Sequence, residues 1–422
     1  MATWAHTPHG RGFDTSLVYF HHCNDYWSRT VSNATDGFCS PDSAMVDFWN
    51  GTGPALLPLG QGSVYEEHLL VSEAERVITT HGRDMPAVPL FLYYASHVPH
   101  TPMQVPQRNL DAVLDLTELS LPGRGYAAMI RVLDEAVANV TLSLRAAGMW
   151  DRTLFVLQSD NGGPIYDSNW RATGSCPSAT RPGMTGPSGR APYSTTCLDF
   201  GGAATNHPLK GGKASMWEGG IRVAGFVSGG VVPVGQRGTH RNGFIHTADW
   251  YSTFAGLAGV DPTDHRAKTA GLPPIDSVDC WDYLVGATAE SPRTEFPIGG
   301  PAKHNVRGII SGSFKLMLGH VPMSGWTGPT FPNASSAAVE FGSLMQNCTA
   351  GCLYDIFADP TEHTDLAAGN PAMVETLLAR LLAIEQTEFD PDRGEPQPAA
   401  CATARGKWSG HYGPWVDVDG RD

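Results

Sequence analysis

The chain has 422 residues, a formal net charge of −14, 41% hydrophobic residues, 48 glycines and 32 prolines. This length allows about three domains, the apolar content is that of a globular protein with a sizeable core, and the glycines and prolines imply long irregular connections. The negative charge argues against general nucleic-acid binding, and an anionic small substrate needs a local positive site to overcome that field.

In chain order, residues 1–60 read as loop-rich, with Gly10-Arg11-Gly12-Phe13-Asp14 followed by aromatic and histidine clusters around Tyr19–Tyr26. The adjacent His21 and His22 fit surface residues better than ligands. Glu66–Thr80 is helix-like, with Leu69, Val71 and Val77 among charged residues. Pro89–Tyr94 is an apolar run of the kind that forms a buried strand. It leads into Ala95-Ser96-His97-Val98-Pro99-His100-Thr101-Pro102, where prolines stiffen the loop. A histidine in such a loop is either satisfied in the core or able to donate a proton or bind an anion. Gly125–Ala147 is the clearest helix, with Ile130, Leu133, Val137, Val140 and Leu144 on one face and Gly148 ending it. Strand, helix, strand in this order predicts a βαβ unit with parallel strands.

The second strand of that unit lies in Thr153–Gly163. Leu154–Leu157 is apolar enough to be buried on both faces. Asp160 and Asn161 stand at its end, and Gly162 and Gly163 let the backbone turn sharply and approach a bound group. Ligands bind beyond the carboxyl ends of strands in open parallel sheets, and a carboxylate beside an amide oxygen is half of a hard-cation site. Asp-Asn-Gly is equally ordinary turn chemistry, so the residues alone leave both readings open. Pro164–Asn206 is a long loop read as a substrate-shaping insertion. Pro208–Gly220 carries Lys210 and Lys213 on glycine-rich backbone, either as point charges for an oxyanion or as a solvated pair. His246–Leu257 reads as a short amphipathic helix, with His246 a cap or core partner, and Asp261–Ser291 as connection.

From about Gly300 the pattern changes. Val306–Ile310 and Phe314–Leu318 flank Ser311-Gly312-Ser313 as an antiparallel hairpin, Leu353–Phe357 is a short strand, and Pro371–Glu385 is a helix. The tail from Gln397 reads as polar and irregular. Eight cysteines fit an oxidising compartment. Cys23/Cys39 and Cys176/Cys197 are spaced as loop staples, Cys348 and Cys352 are close enough to close a small ring, and no spacing reads as zinc. Asn33, Asn139, Asn333 and Asn347 open N-glycosylation triplets. No apolar run is long enough to span a membrane, and no signal peptide is recognisable. A secretory-looking body without a leader leads to the expectation that the start of the protein is missing.

These segments together resemble the sulfatase family of the alkaline-phosphatase superfamily, most closely the arylsulfatase B, I and J type. The resemblance rests on Arg11-Gly12-Phe13-Asp14, Pro89–Tyr93 through His100–Pro106, Tyr126–Met129 through Asp134–Thr141, Ser159–Gly163, Pro208–Lys213 with Trp217–Gly220, and Leu353–Ile356 through Asp359–Glu362. It implies an α/β fold with a mostly parallel central sheet flanked by helices over residues 1–298, and a smaller C-terminal α+β subdomain over 299–422. It implies hydrolysis of sulfuric esters, with a sulfate-ester small molecule or sulfated glycan as substrate, no nucleic acid and no membrane span, in a lysosomal or extracellular setting. Asp160 and Asn161 correspond to oxygen ligands of a Ca2+ ion. His100 and Lys213 correspond to residues that hold the sulfate group and assist leaving-group departure.

Other parts of the family pattern are absent. Members carry Cys-x-Pro-x-Arg or Ser-x-Pro-x-Arg, whose first residue becomes formylglycine, together with an acidic pair on the first strand and a Gly-Lys-Trp-His-Leu-Gly segment. Cys39-Ser40-Pro41-Asp42-Ser43 and Ser175-Cys176-Pro177-Ser178-Ala179 do not match the motif. The resemblance therefore implies a chain that lacks the N-terminal catalytic segment, is inactive alone, and leaves Cys401 without its family partner. Two alternatives stand beside it: a related phosphoester hydrolase, and a non-catalytic pseudo-sulfatase that binds sulfated glycans.

Overall fold

A computed structural model describes residues 2–21, 24–31, 45–55, 64–167, 203–300, 306–330, 339–340, 344–389 and 397–416. Helix α1 is Glu66–Asp84 and helix α2 is Leu121–Ala146. Ser120 caps α2 by accepting a hydrogen bond from the Gly123 N–H at 3.3 Å. The helices pack through Ala74 and Ile78 of α1 and Val140 and Leu144 of α2, joined by Met149. The buried stripe of α2 runs through Ala128, Met129, Val132, Ala136, Val140 and Leu144, and Ile130 is exposed. Alanines at two of those positions let neighbouring elements approach closely, which turns the stripe away from the larger Ile130.

Leu90, Leu92, Tyr94 and Phe155 rest on the α1–α2 cluster. Phe155 opens strand β1, Phe155–Gln158, which pairs antiparallel with β2, Gly225–Ser228. Helix α3, Asp249–Leu257, covers the other side, where Trp250 Nε1 donates to Gln158 Oε1 at 2.7 Å and the Phe254 ring lies 5.8 Å from Phe91. The predicted strand Pro89–Tyr94 is extended, but among the described residues it joins no ladder. The expected βαβ unit thus has both extended segments and the connecting helix on one layer, without hydrogen bonds between the two segments.

The C-terminal sheet consists of β3 (Glu295–Gly299), β4 (Arg307–Ser311), β5 (Phe314–Pro322) and β6 (Met345–Asp355), all antiparallel in the order β6-β5-β4-β3. The predicted hairpin turns at Gly312-Ser313, and Gly312 has φ +58°, a conformation glycine adopts without strain. One face packs Ile309, Leu316 and Leu353 on Leu377 and Leu381 of helix α4, Pro371–Glu385. The opposite face packs Ile310, Met317 and Tyr354 against Met216 and Trp217. The sheet therefore lies directly under the loop that carries Lys210 and Lys213. Its first strand begins at Glu295, ahead of the expected subdomain start at 299.

The tail holds a helix that its composition does not announce: α5, Pro398–Gly406, buries Cys401 and Ala404 against Met45. Cys401 is disulfide-bonded, which corrects the expectation that it stays unpaired. Cys348 and Cys352 form the expected small ring, and Cys280 is free and buried. Cys23, Cys39, Cys176, Cys197, Asn33, Asn333 and most of the Pro164–Asn206 loop lie outside the described residues. Asn139 and Asn347 are both exposed. No helix among the described residues is long and apolar enough to cross a membrane.

Candidate active site

The site is built where β1 ends. Ser159 N–H donates to Ala224 O at 3.0 Å, holding the chain to the β2 side before it turns. Asp160 Oδ1 accepts the Asn161 N–H at 2.8 Å, and Asn161 Nδ2 donates to Gly162 O at 2.9 Å. These local bonds leave Asp160 Oδ2 and Asn161 Oδ1 without a partner among the described residues, on an exposed and a half-buried side chain respectively.

The two glycines that follow lace this turn to the lysine loop. Gly162 N–H donates to Gly220 O at 2.9 Å, and Lys213 N–H donates to Gly163 O at 3.1 Å. Asn206 bridges both loops, accepting from Gly163 N–H at 2.8 Å and donating to Gly163 O at 2.9 Å and Gly211 O at 3.0 Å. A Cβ on Gly162 would stand 1.7 Å from Gly219 O, so only glycine permits this approach. Asp160, Asn161 and Lys213 are thereby carried on one tightly bonded loop pair.

His100 arrives on a separate loop. Its carbonyl accepts the Tyr26 hydroxyl at 2.9 Å, its N–H donates to His97 O at 2.9 Å, and its Nδ1 lies 2.9 Å from Thr101 O. Tyr65 OH donates to Gln104 O at 2.7 Å, and Gln104 Oε1 accepts the Tyr26 N–H at 2.9 Å. Val98, Met103 and Val105 of this loop share a buried cluster with Ala203, and Tyr126 packs against it. The Tyr126 hydroxyl is pushed up by burial and then by the charge of Asp160.

Behind the histidine loop lies a buried polar cluster. Glu66 Oε1 is 2.8 Å from His97 Nδ1, Asn24 Nδ2 donates to Glu66 Oε2 at 2.6 Å, and Glu67 Oε1 accepts Tyr94 OH and Ser96 Oγ at 2.7 Å each. Burial raises Glu66 to about 8 and lowers His97 to about 4. His97 is therefore a core histidine, and His100 is the one of the two that remains half-buried.

The two lysines separate in the same way. Lys210 is 3% exposed, with its ammonium 3.6 Å from the Trp217 ring, 4.7 Å from Trp326 and 5.7 Å from Tyr354, donating to Gln346 Oε1 at 2.9 Å. Burial lowers its pKa to about 8. An aromatic cage anchors Lys210 to the C-terminal sheet, while Lys213 stays half-exposed. Next to Trp217, the Lys315 ammonium sits 2.9 Å from Glu218 Oε1 and 2.8 Å from Glu362 Oε1, all three side chains being buried. Glu362 Oε2 accepts the Glu218 N–H at 2.7 Å. Composition gave no hint of these partners, since each comes from a distant strand or loop.

Asp160 and Asn161 match a hard cation in donor type, both offering oxygen. They do not match it in number. Among the described residues no group of three or more Asp, Glu, His or Cys side chains is arranged to hold a metal ion, whereas calcium takes about six to eight oxygens.

A family model described as Sulfatase matches residues 3–260, more than half of the chain. The chain belongs to the sulfatase family. It is 28% identical to Arylsulfatase J of Mus musculus over 441 residues, covering 98% of this chain and 62% of that protein. It is 26% identical to human Arylsulfatase A over 304 residues, covering 70% of this chain and 48% of that protein. The chain thus spans less than two thirds of these relatives. Among solved structures, Ps i-CgsB in complex with k-i-k-neocarrahexaose matches with a TM-score of 0.66 at 19% identity, covering 96% of this chain and 73% of that one. BT4656 in complex with its substrate D-glucosamine-2-N,6-O-disulfate matches with a TM-score of 0.53 at 14% identity, over 91% of this chain and 78% of that one. These likenesses establish the alkaline-phosphatase-like sulfatase fold. Within the family match, the loops that carry Asp160, Asn161, Lys213 and His100 all fall between residues 3 and 260.

Proposed function

We propose that the protein takes part in sulfuric-ester hydrolysis of arylsulfatase type, with the loop pair 159–163 and 206–220 as its sulfate site. The observation that supports this reading is the backbone bond from Lys213 N–H to Gly163 O inside a sulfatase-family chain, which holds the loop of Lys213 against the loop of Asp160 and Asn161. Asp160 and Asn161 would supply part of the shell of a calcium ion, which when bound contributes positive charge against the ester oxygens. Lys213 places a further cation against the charge that develops as the sulfur–oxygen bond breaks. The Thr101 carbonyl can only accept, so His100 Nδ1 carries a proton, and Nε2 of the imidazolium gives one to the leaving oxygen.

The 422 residues contain neither Cys-x-Pro-x-Arg nor Ser-x-Pro-x-Arg. In this reading the formylglycine nucleophile and the remaining oxygen ligands come from polypeptide outside them. Sulfated sugars are the substrate class we favour, because two structural neighbours are complexes with a neocarrahexaose and a disulfated glucosamine. The Cys348–Cys352 disulfide supports an oxidising, secretory compartment.

Turnover of nitrophenyl sulfate tests the proposal. The 422-residue chain alone is expected to be inactive, and a protein extended by a formylglycine-bearing segment is expected to be active with calcium. Robust turnover by the short chain contradicts the reading. The missing motif favours a second reading, a non-catalytic binder of sulfated glycans. Glycan binding by an extended protein that never turns over would support it.

A further inference from the structure

Strand β6 carries the acceptor triplet Asn347-Cys348-Thr349, whose middle residue is also one end of a disulfide. β6 is the outermost strand of the C-terminal sheet, with β5 on one side and no ladder on the other among the described residues. Cys348 pairs with Gly319 of β5 and Cys352 with Met317, so residues 349–351 bulge out opposite Leu318 and the disulfide closes the bulge. Gly351, at φ +93°, makes the return turn. Alternation along the strand turns Cys348 inward, 1% exposed, and leaves Asn347 and Thr349 both exposed. Asn347 Oδ1 accepts the Thr349 hydroxyl at 2.8 Å and the Thr349 N–H at 3.1 Å. Both bonds fall on the amide oxygen. Asn347 Nδ2, the nitrogen to which an N-glycan is joined, has no partner among the described residues. The cross-strand neighbour of Asn347, His320, is exposed as well.

We propose that Asn347 is an N-glycosylation site gated by the Cys348–Cys352 ring: the glycan is added while both cysteines are thiols, and a chain whose ring closes first stays bare. In the transfer, Nδ2 forms a bond to the anomeric carbon of a lipid-pyrophosphate-linked oligosaccharide. The bond from that carbon to the pyrophosphate oxygen breaks, the lipid pyrophosphate leaves with the electron pair, and the amide gives up one proton. The acceptor triplet has to bend into the transferase to react. A ring closed over a separation of 4 residues holds Cys348, the residue between acceptor and hydroxyl, in strand geometry and stops that bend. Closure itself removes two protons and two electrons, which pass to the thiol–disulfide oxidants of the compartment. The finished fold accepts either outcome, since Asn347 is exposed with the ring closed. A glycan there also covers a strand edge next to exposed Leu344 and Met345, the kind of edge that otherwise pairs with another chain. Asn139, the other described acceptor, stands between Ala138 and Val140 and so lies outside the gate. The proposal rests on the secretory compartment and not on sulfatase turnover.

The test is translation of the 422-residue chain behind a cleavable secretory leader with endoplasmic-reticulum microsomes present, followed by mass spectrometry of the Asn347 peptide before and after N-glycosidase. Asn347 is expected to be occupied in part of the chains. Occupancy is expected to rise at least about twofold when dithiothreitol is present during translation, and equally in Cys352→Ser, which opens the ring and leaves the triplet intact. Occupancy at Asn139 is expected to stay the same in Cys352→Ser. Thr349→Ala, which keeps both cysteines, is expected to leave Asn347 bare. A bare Asn347 in the wild type, with dithiothreitol and in Cys352→Ser alike overturns the proposal. Equal occupancy with the ring open and closed overturns it too, as does a rise that Asn139 shares. The glycan is added before folding is complete, so a variant that folds poorly still gives a reading. The leader supplies the compartment, so failure at Asn347 counts against the gated site and leaves the sulfatase reading, tested by nitrophenyl sulfate turnover, untouched.

Discussion

Lys210 and Lys213 share one glycine-rich loop and have opposite surroundings. Lys210 is enclosed by Trp217, Trp326 and Tyr354, and Lys213 is not. Lys213→Ala is accordingly expected to reduce kcat toward a sulfate ester by roughly 10²–10³-fold in an active, extended protein, with urea stability nearly unchanged. A loss in stability comparable to the loss in rate would reassign Lys213 to structure. Glu66 and His97 carry a pH effect instead. Between about pH 4.5 and 8 the folded state keeps a proton on Glu66 that the unfolded chain has released, so stability falls as pH rises through that window. His97 acts in the other direction between about 4 and 6.5, where the unfolded chain takes up a proton that the folded state refuses. Of this pair, only Glu66 acts above pH 6.5. The urea midpoint is expected to fall from pH 6.5 to 8 in the wild type and to stay flatter in Glu66→Gln, which has no proton to release.

At the scale of elements, the C-terminal sheet serves as the platform for the lysine loop. Trp217 Nε1 donates to Pro322 O at 2.9 Å, and Gly211 N–H donates to Gly325 O at 2.8 Å. Lys315 binds Glu218 and Glu362 from inside β5. Lys315→Met removes the buried cation shared by Glu218 and Glu362 and is expected to cost about 3–5 kcal/mol in urea unfolding. A cost below about 1 kcal/mol would mean that the carboxylates are not held charged. Elements with a strong period of their own were legible without structure: the 371–385 helix has its expected bounds, and the 306–318 hairpin turns where Gly312 permits. Pro89–Tyr94 shows the limit. Its apolar run is real, and Leu90, Leu92 and Tyr94 do face inward, but a run cannot report whether a partner strand stands beside it. The α5 helix was missed because Pro398-Ala399-Ala400-Cys401 has little apolar period, and its burial against Met45 comes from tertiary contact.

For the whole molecule, the family assignment and the α/β sulfatase fold were legible because several motifs recur in order along the chain. The joining of the site was not. Nothing local in Asn206 predicts that it bridges Gly163 and Gly211, and nothing in Tyr126 predicts that it packs against the cluster of the His100 loop. Two loops, one carrying Asp160 and Asn161 and the other Lys213, are held together by glycine backbone, and the C-terminal sheet fixes the second loop from below. The most direct measurement is kcat/KM for nitrophenyl sulfate in the extended, calcium-loaded protein with Asp160 intact and with Asp160→Ala. The account predicts a fall of at least about a hundredfold on losing this oxygen donor. A change within twofold would contradict it.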